Sequence, residues 1–236
     1  MAGKPLLLDL FSGAGGAGMG YWRAGFEVVG IDLVAQPNYP FAFVQAEALG
    51  WLERWCVERV PAFVAIHASP PCQFATDYRR VGNVGESANL VGRTRELLLE
   101  SGLLYVIENV VGARKELIEP VLLCGSMFED VEGGTRDLQR HRLFEANWPL
   151  RAPEVPCRHK IWAPDRYPGG RSVQRTGHST GLVRSTVEIS AWDIPLATKS
   201  WAMGIDWMNR EELAQAIPPA YTKWVGNQLL QTLPPP

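Results

Sequence analysis

The chain has 236 residues, 46% of them hydrophobic, which is enough for one domain with an ample apolar core. No apolar run approaches the roughly 20 residues of a membrane-spanning helix, and no cleavable apolar segment follows the initial methionine, so we expect no secretion. The four cysteines are scattered without a CxxC pair or zinc-binding spacing, which favours an intracellular protein with reduced thiols and no metal.

The net charge of −2 is unevenly distributed along the chain. Residues 135–184 contain ten Lys and Arg against four Asp and Glu, a net charge of +6, so the rest of the chain carries −8. A basic segment on an acidic body is a candidate phosphate-binding face. A solvated, Arg-rich loop would show the same pattern, so the charge alone does not identify a nucleic-acid partner.

Strand and helix patterns alternate along most of the chain, as a sheet with crossover helices requires. Predicted strands lie at residues 5–10, 26–31, 41–44, 63–66, 103–107, 121–124 and 142–145. Helices are predicted after residue 18 and over residues 49–60, 92–101, 209–216 and 221–230. Residues 148–192 are rich in Pro, Gly, Arg and aromatics without a sustained period, which predicts an irregular insertion. The predicted fold class is therefore α/β, a doubly wound sheet with a small irregular insertion.

A glycine-rich turn follows the first predicted strand. Gly13, Gly15 and Gly18 satisfy the pattern G-x-G-x-x-G, and Asp32 follows at the end of the second strand, as a Rossmann fingerprint requires. The glycines let the backbone approach a ligand, and the acid can hold ribose hydroxyls. The motif predicts a nucleoside-containing cofactor, and by itself it does not separate NAD from S-adenosylmethionine.

A single cysteine follows the fourth predicted strand on a stiff loop. Residues 69–73 read Ser-Pro-Pro-Cys-Gln, and the two prolines would hold Cys72 in one direction. A thiol presented in this way suits a nucleophile, although a buried structural cysteine is an equally good interpretation of this stretch alone. His67, inside the strand, is interpreted as a core histidine and not as a catalytic base.

Acidic residues follow two further predicted strands, Glu47 after the third and Glu108 after the fifth. The carboxyl ends of parallel strands share one edge of a sheet, so these acids can meet the glycine turn and Cys72 there. A thiol nucleophile and a carboxylic acid beside a nucleoside cofactor form a recognisable catalytic arrangement.

Five short motifs follow one another along the chain. They are Asp-Leu-Phe-Ser-Gly-Ala-Gly-Gly at residues 9–16, Ser-Pro-Pro-Cys-Gln at 69–73, Glu-Asn-Val at 108–110, Arg-His-Arg at 140–142 and Gln-Ala-Ile-Pro-Pro at 215–219. In composition and order they resemble the motifs of the DNA cytosine-5 methyltransferases, in a compact form like those of bacteriophages. One such motif is weak evidence, whereas several in the same order are strong.

The resemblance implies methyl transfer from S-adenosylmethionine to C5 of cytosine in DNA. Cys72 would attack C6 of the base, and a protonated Glu108 would hydrogen-bond ring N3. Arg142 would contact the base O2, and Arg140 would orient the loop that carries the cysteine. Because the target atom lies inside the duplex, the base must be flipped into the site.

The resemblance also implies which residues bind S-adenosylmethionine. Phe11 would stack near the adenine, Asp32 would hold the ribose, Glu47 would meet the adenine amino group and Pro71 would pack beside the reacting methyl group. Phe11 and Glu47 could equally be a core aromatic and a loop acid. The other implied cofactor residues belong to the glycine turn and the closing motif: Ser12, Gly13, Gly15, Gly16, Gln215 and Ala216.

In the organisation that the resemblance implies, residues 1–147 form the catalytic and cofactor-binding domain. Residues 148–200 form a small target-recognition segment, and residues 201–236 return to the catalytic domain. We expect a cytoplasmic monomer that binds double-stranded DNA and no membrane.

Other functions stay open at this point. The same chemistry could act on tRNA or on a free cytosine nucleotide. An NAD-dependent oxidoreductase would explain the glycine turn and Asp32, but it leaves Cys72, Glu108 and the arginine pair without a shared purpose. A DNA-binding module that has lost activity is a further alternative, against which the intact Cys72 and Glu108 argue.

Overall fold

A computed structural model describes residues 3–59, 62–71, 90–128, 135, 138–157, 187, 189 and 194–233. Within them the chain forms a seven-stranded sheet in the order β3-β2-β1-β4-β5-β7-β6. Its strands are β1 (Leu6–Leu10), β2 (Glu27–Asp32), β3 (Ala42–Gln45), β4 (Ala65–Ala68), β5 (Leu104–Asn109), β6 (Val121–Cys124) and β7 (His141–Ala146). Strands β1 to β5 pair in parallel, while β7 lies antiparallel between β5 and β6.

Helices cover both faces of this sheet. The α-helices among the described residues are α1 (Gly16–Ala24), α2 (Ala48–Glu58), α3 (Leu90–Ser101), α4 (Leu196–Met203), α5 (Arg210–Gln215) and α6 (Pro219–Thr232). Successive strand residues point to opposite faces, so Leu8 packs in the core with α2 and α3, and Leu7 packs in the core with α1 and α6. The predicted doubly wound α/β fold is confirmed.

Helices α1 and α6 pack closely because glycine occupies their contact surface. A Cβ atom on Gly20 would overlap the side chain of Thr222, and one on Gly226 would lie 2.8 Å from the Cβ of Ala24. The Thr222 hydroxyl donates to the carbonyl of Ala17 at 2.8 Å. The last helix of the chain is thereby fixed against the helix that follows the glycine turn.

Several elements differ from their predicted bounds. Strand β4 begins at Ala65, two residues later than predicted, and includes His67. Strand β5 continues through Glu108, which was predicted to follow the strand, because pairing with β7 extends this far. Helix α4 was not predicted, and most of the predicted irregular insertion lies outside the described residues.

A third apolar cluster brings the end of the chain to the glycine turn. Ala14 packs there with residues of α4, α5 and their connection, and with Leu138 and Val187. Helix α5 begins at the predicted cap, Asn209, whose side chain accepts from the backbone N–H groups of Glu211 and Glu212. Among the described residues, no helix is both long and apolar enough to cross a membrane.

Candidate active site

Several predicted site residues lie at the carboxyl ends of four adjacent parallel strands. The register aligns Leu10 of β1 with Ile31 of β2 and Ala68 of β4, and Ala68 in turn with Ile107 of β5. The residues that follow these positions therefore leave the sheet on one edge, where open α/β sheets bind ligands. This edge holds the glycine turn, Asp32, the Ser-Pro-Pro segment and Glu108.

The glycine turn is closed by the carboxylate of Asp32. Gly13 and Gly15 adopt left-handed φ angles of 49° and 84°, which glycine accepts without steric cost. The Gly13 N–H donates to Oδ2 of Asp32 at 2.9 Å, and the Val34 N–H donates to Oδ1 at 3.0 Å. The carboxylate is thus held at the end of β2, beside the turn and the start of α1.

The first residues of the turn face the protein interior. Phe11 has a positive φ of 57° and is half-buried, with its ring against the core shared by α2 and α3. Ser12 is buried, and its N–H donates to the carbonyl of Ile31 at 3.1 Å. Phe11 therefore packs against the core with part of its surface exposed, which is compatible with both of its predicted roles.

Glu47 is the N-cap of α2. Its carboxylate accepts from the N–H groups of Leu49 at 3.1 Å and Gly50 at 2.6 Å, which satisfies donors that the helix start leaves free. A contact with a cofactor would have to be shared with these bonds. An acid directly before a helical pattern is a capping signal, and the sequence analysis did not use it.

The predicted closing motif lies against the glycine turn. A Cβ atom on Gly16 would come within 3.2 Å of the Cβ of Ala216 and 2.5 Å of the carbonyl oxygen of Ile217. The indole N–H of Trp207 donates to the Ala14 carbonyl at 2.9 Å. Gln215 ends α5 and is exposed.

The start of the predicted nucleophile loop is anchored from two strands. The Ser69 N–H donates to the carbonyl of Leu10 at 3.1 Å, and Nδ2 of Asn109 donates to the carbonyl of Pro70 at 2.9 Å. Pro71 follows, half-buried, at the same edge. Cys72 itself lies outside the described residues, so its distance to the other groups stays a prediction.

Glu108 is a buried carboxyl group beside a cation. Oε1 lies 3.0 Å from Nε of Arg142, yet this buried oxygen accepts no aligned hydrogen bond from the described residues. Burial raises the pKa of Glu108 above its ordinary value, while Arg142, the Ser69 hydroxyl and Arg140 act to lower it. The net upward shift favours the protonated acid, which can donate a hydrogen bond.

Arg140 joins the arginine motif to the residues on either side of the closing motif. Its guanidinium donates to the carbonyl of Ala214 at 2.7 Å, and its own carbonyl accepts the Tyr221 hydroxyl. Burial, and then repulsion from Arg142, lower the pKa of Arg140 to about 9, so the side chain remains charged at neutral pH. Its buried Nε has no hydrogen-bond partner in the part of the chain that the structure describes.

A hydrogen-bonded chain that the sequence did not predict runs beneath Glu108. The Tyr21 hydroxyl lies 3.0 Å from Nδ1 of His67, and Nε2 of His67 lies 2.9 Å from Oγ of Ser69, which contacts Glu108. Burial lowers the pKa of His67 to about 3, so the imidazole is neutral and can donate through one nitrogen while accepting through the other. The predicted core histidine is confirmed, and the chain supports the Ser69 hydroxyl from below.

The sequence patterns did not predict this hydrogen-bonded series of Tyr21, His67 and Ser69. Tyr21 lies in α1 and looks like one more apolar position of an amphipathic helix. A histidine inside an otherwise apolar strand, two residues before a serine, is the one hint of a polar contact beneath the site. Only the packing of α1 on the sheet supplies the hydroxyl that completes it.

These elements define a Rossmann-like α/β fold with an antiparallel strand inserted between its last two strands. No protein-family model matches the chain, and no curated protein matches it. Solved structures share the fold. The Schizosaccharomyces pombe (S. pombe) Dnmt2 methyltransferase is 12% identical, aligns over 97% of this chain and 98% of its own, and has a TM-score of 0.54.

Two further solved structures are similar to smaller degrees. The Entamoeba histolytica methyltransferase EhMeth is 12% identical over 99% of this chain and 100% of its own, with a TM-score of 0.48. A mutant of Spodoptera frugiperda DNMT2 is 18% identical over 64% of this chain, which spans 54% of that protein, with a TM-score of 0.39. At 12% identity the likeness to the S. pombe structure shows the fold alone. The reaction has to be inferred from the residues of the site.

Proposed function

We propose that this protein is a DNA cytosine-5 methyltransferase of the compact kind found in bacteriophages. The observation that carries the proposal is the buried Glu108, which contacts Arg142 and Ser69 at the sheet edge where the Ser-Pro-Pro segment leads to Cys72. The fold shared with the S. pombe Dnmt2 methyltransferase favours a methyl transfer over a nicotinamide-dependent oxidation.

The residues at this edge fit S-adenosylmethionine. Left-handed Gly13 and Gly15 let the backbone come close to a ligand. Asp32 would hold the ribose, while Phe11, Ser12, Gly16 and Pro71 would line the site. Glu47, Gln215 and Ala216 would complete it. The bound cofactor supplies a methyl group on a sulfonium sulfur.

The proposed chemistry begins with the thiolate of Cys72, which forms a bond to C6 of a flipped cytosine. Electron density moves from the C5–C6 double bond towards N3, where the protonated carboxyl of Glu108 donates a hydrogen bond and can deliver its proton. C5 then acts as the carbon nucleophile and takes the methyl group, while the electron pair of the broken sulfur–methyl bond stays on the cofactor sulfur as a neutral thioether. A base removes the C5 proton, the C5–C6 double bond re-forms, the thiolate leaves and N3 returns its proton to Glu108.

Arg140 and Arg142, which flank His141 in the sequence, would support the proposed chemistry. Arg142 would contact O2 of the base, where negative charge also develops, in addition to its contact with Glu108. Arg140 would orient the Cys72 loop, and its contact with Ala214 ties that position to the residue directly before the closing motif. Both roles use the donors of a guanidinium, which stays charged throughout.

Double-stranded DNA is the proposed partner of a protein that acts as a monomer in the cytoplasm. The basic charge of residues 135–184 suits contact with phosphates, and arginines within the target-recognition segment 148–200 would read base edges. The same chemistry on tRNA or a free cytosine nucleotide is the alternative, because Glu108 and Cys72 would serve any cytosine ring.

Methyl transfer from tritiated S-adenosylmethionine to duplex DNA, tRNA or dCMP tests the proposal. We expect incorporation into duplex DNA, and bisulfite sequencing of DNA from producing cells would locate the modified cytosines. Cys72→Ala should abolish turnover and retain cofactor binding, with Cys56→Ala as a matched control of unchanged activity. Incorporation into tRNA alone would show that the substrate is tRNA and not DNA. Normal activity of Cys72→Ala would refute the proposed role of Cys72 as the nucleophile.

A further inference from the structure

Two cysteines and a histidine meet on the outer strands of the sheet. The antiparallel register of β6 and β7 pairs Cys124 directly with His141, and Cys157 returns to them from the segment after β7. The Sγ atoms of the cysteines and a ring nitrogen of His141 all lie within 4.8 Å of one another, with Nε2 of His141 3.3 Å from Sγ of Cys157. Among the described residues, this is the group of three Cys, His, Asp or Glu side chains whose ligand atoms are close enough together to hold a metal ion.

The donor set and its spacing suit zinc. Thiolate sulfur and imidazole nitrogen are the ligands of structural zinc sites, with Zn–S of about 2.3 Å and Zn–N of about 2.0–2.1 Å. A tetrahedral ion with these bonds separates its ligand atoms by about 3.5–3.8 Å. The cluster therefore needs only small side-chain movements to close around an ion, and the half-buried His141 and Cys157 leave a path for its entry.

The three residues cannot be recognised as a site from their spacing. Successive members of the cluster are separated by 17 and 16 positions in the chain, unlike the short cysteine pairs typical of zinc motifs. The pairing of β6 with β7 brings Cys124 next to His141, and the path of residues 147–157 brings Cys157 back to both. The expectation of a metal-free protein relied on spacing alone.

We propose that Cys124, His141 and Cys157 bind a zinc ion, a function separate from the methyl transfer. The fourth coordination position is left to water or another ligand. On binding, the two thiols lose their protons and two thiolates and one neutral imidazole hold the ion. The Ser126 hydroxyl, which donates to Sγ of Cys124 at 3.7 Å, would orient that thiolate from outside the site.

The position of the ion gives it a specific structural task. Residues alternate faces along a strand, so His141 points away from the face on which Arg142 meets Glu108. Zinc would hold β7 at its first residue and tie Cys157 to the sheet, directly before the part of the chain proposed to recognise DNA. It would therefore rigidify the strand that carries the arginine motif without entering the catalytic site.

Metal content gives the first test. The full chain, purified under reducing conditions from zinc-supplemented medium without an affinity metal, should contain about one zinc per chain. Cys157→Ser and His141→Gln should lower this content at least several-fold, whereas Cys56→Ser should not. The proposal would be overturned if the wild-type protein held no zinc after incubation with Zn²⁺. It would also be overturned if all variants had the same zinc content.

Cobalt substitution avoids reliance on variants that fold poorly. Co²⁺ added to the metal-free wild-type protein should give intense tetrahedral bands together with thiolate-to-cobalt charge transfer, and added Zn²⁺ should displace it. Weak bands of octahedral cobalt would contradict the site. A Cys124–Cys157 disulfide, seen as an intact mass lower by two hydrogens in protein kept reduced, would contradict it as well.

Discussion

Nε of Arg142 lies 3.0 Å from Oε1 of Glu108, and both side chains are largely buried. The two residues stand on adjacent antiparallel strands, since Glu108 of β5 pairs with Phe144 of β7. Burial raises the pKa of Glu108 and the charge of Arg142 opposes that rise. The pair therefore sets how readily the carboxyl group holds the proton that the proposed reaction needs.

Replacing Glu108 by Gln should lower kcat for methyl transfer by about 100-fold or more, since a positioned proton donor contributes about 10²–10⁴-fold. Glutamine keeps the volume of the side chain and can donate an N–H bond, but it has no proton to transfer. Initial rates with tritiated S-adenosylmethionine and duplex DNA measure the effect, and cofactor affinity should change little.

Glu145→Gln is the matched control for this variant. Glu145 is also a buried carboxylate paired with an arginine, with Oε1 2.6 Å from Nε of Arg95, but it belongs to a separate ion pair. We expect reduced stability and normal kcat for the folded enzyme. Equal losses of kcat in the two variants would show that the effect of Glu108→Gln is structural and not chemical.

Arg142→Gln should shift the pH dependence of the reaction. Without the guanidinium the pKa of Glu108 rises further, so the carboxyl stays protonated to higher pH. The alkaline limb of kcat/KM should move to higher pH even though the rate itself falls. Arg142→Lys, which keeps the charge, should leave that limb near its wild-type position, and a shift to lower pH in Arg142→Gln would contradict the assignment.

Because of His67, the free energy of unfolding should be smaller in acid than at neutral pH. Its pKa is about 3 in the folded protein, against an ordinary value of 6.5, so the unfolded chain binds the proton first as the pH falls. The stabilisation is complete above pH 6.5 and is lost as the pH falls towards 3. By linkage, this one group should lower the free energy of unfolding by roughly 2.5 kcal/mol between about pH 7 and pH 4.5.

Urea unfolding at the two pH values measures this difference, with His67→Gln as the comparison. Glutamine can keep a donor and an acceptor near Tyr21 and Ser69 but does not titrate, so the variant should lose most of the His67 contribution. A pH dependence that is the same in both proteins would show that His67 is not the titrating group.

Gly20→Ala should destabilise the contact between α1 and α6. The added Cβ would overlap Thr222 and the backbone of α6, and overpacking of this kind costs about 1–3 kcal/mol. Gly112→Ala is the control, because its Cβ would meet no atom of the described residues within 4 Å. Denaturant unfolding should show a lower midpoint for Gly20→Ala only, and equal midpoints for the two variants would contradict the close contact.

The glycine turn and Glu108 could be assigned to one edge from sequence because the carboxyl ends of parallel strands converge there. The role of Glu47 as a helix cap was not predicted, although an acid before a helical pattern was visible. The position of Tyr21 beneath His67 could not be predicted, since 46 residues separate the two and α1 has to dock on the sheet before they meet.

The sequence by itself determined the alternation of strands and helices, the glycine turn and the stiff Ser-Pro-Pro segment. These features follow from steric and hydrophobic rules that act over a few neighbouring residues. Only the tertiary structure decided that Arg142 meets Glu108 and that Cys124 meets His141 and Cys157. Such contacts depend on strand order and register, which the packing of the whole sheet selects and no local pattern encodes.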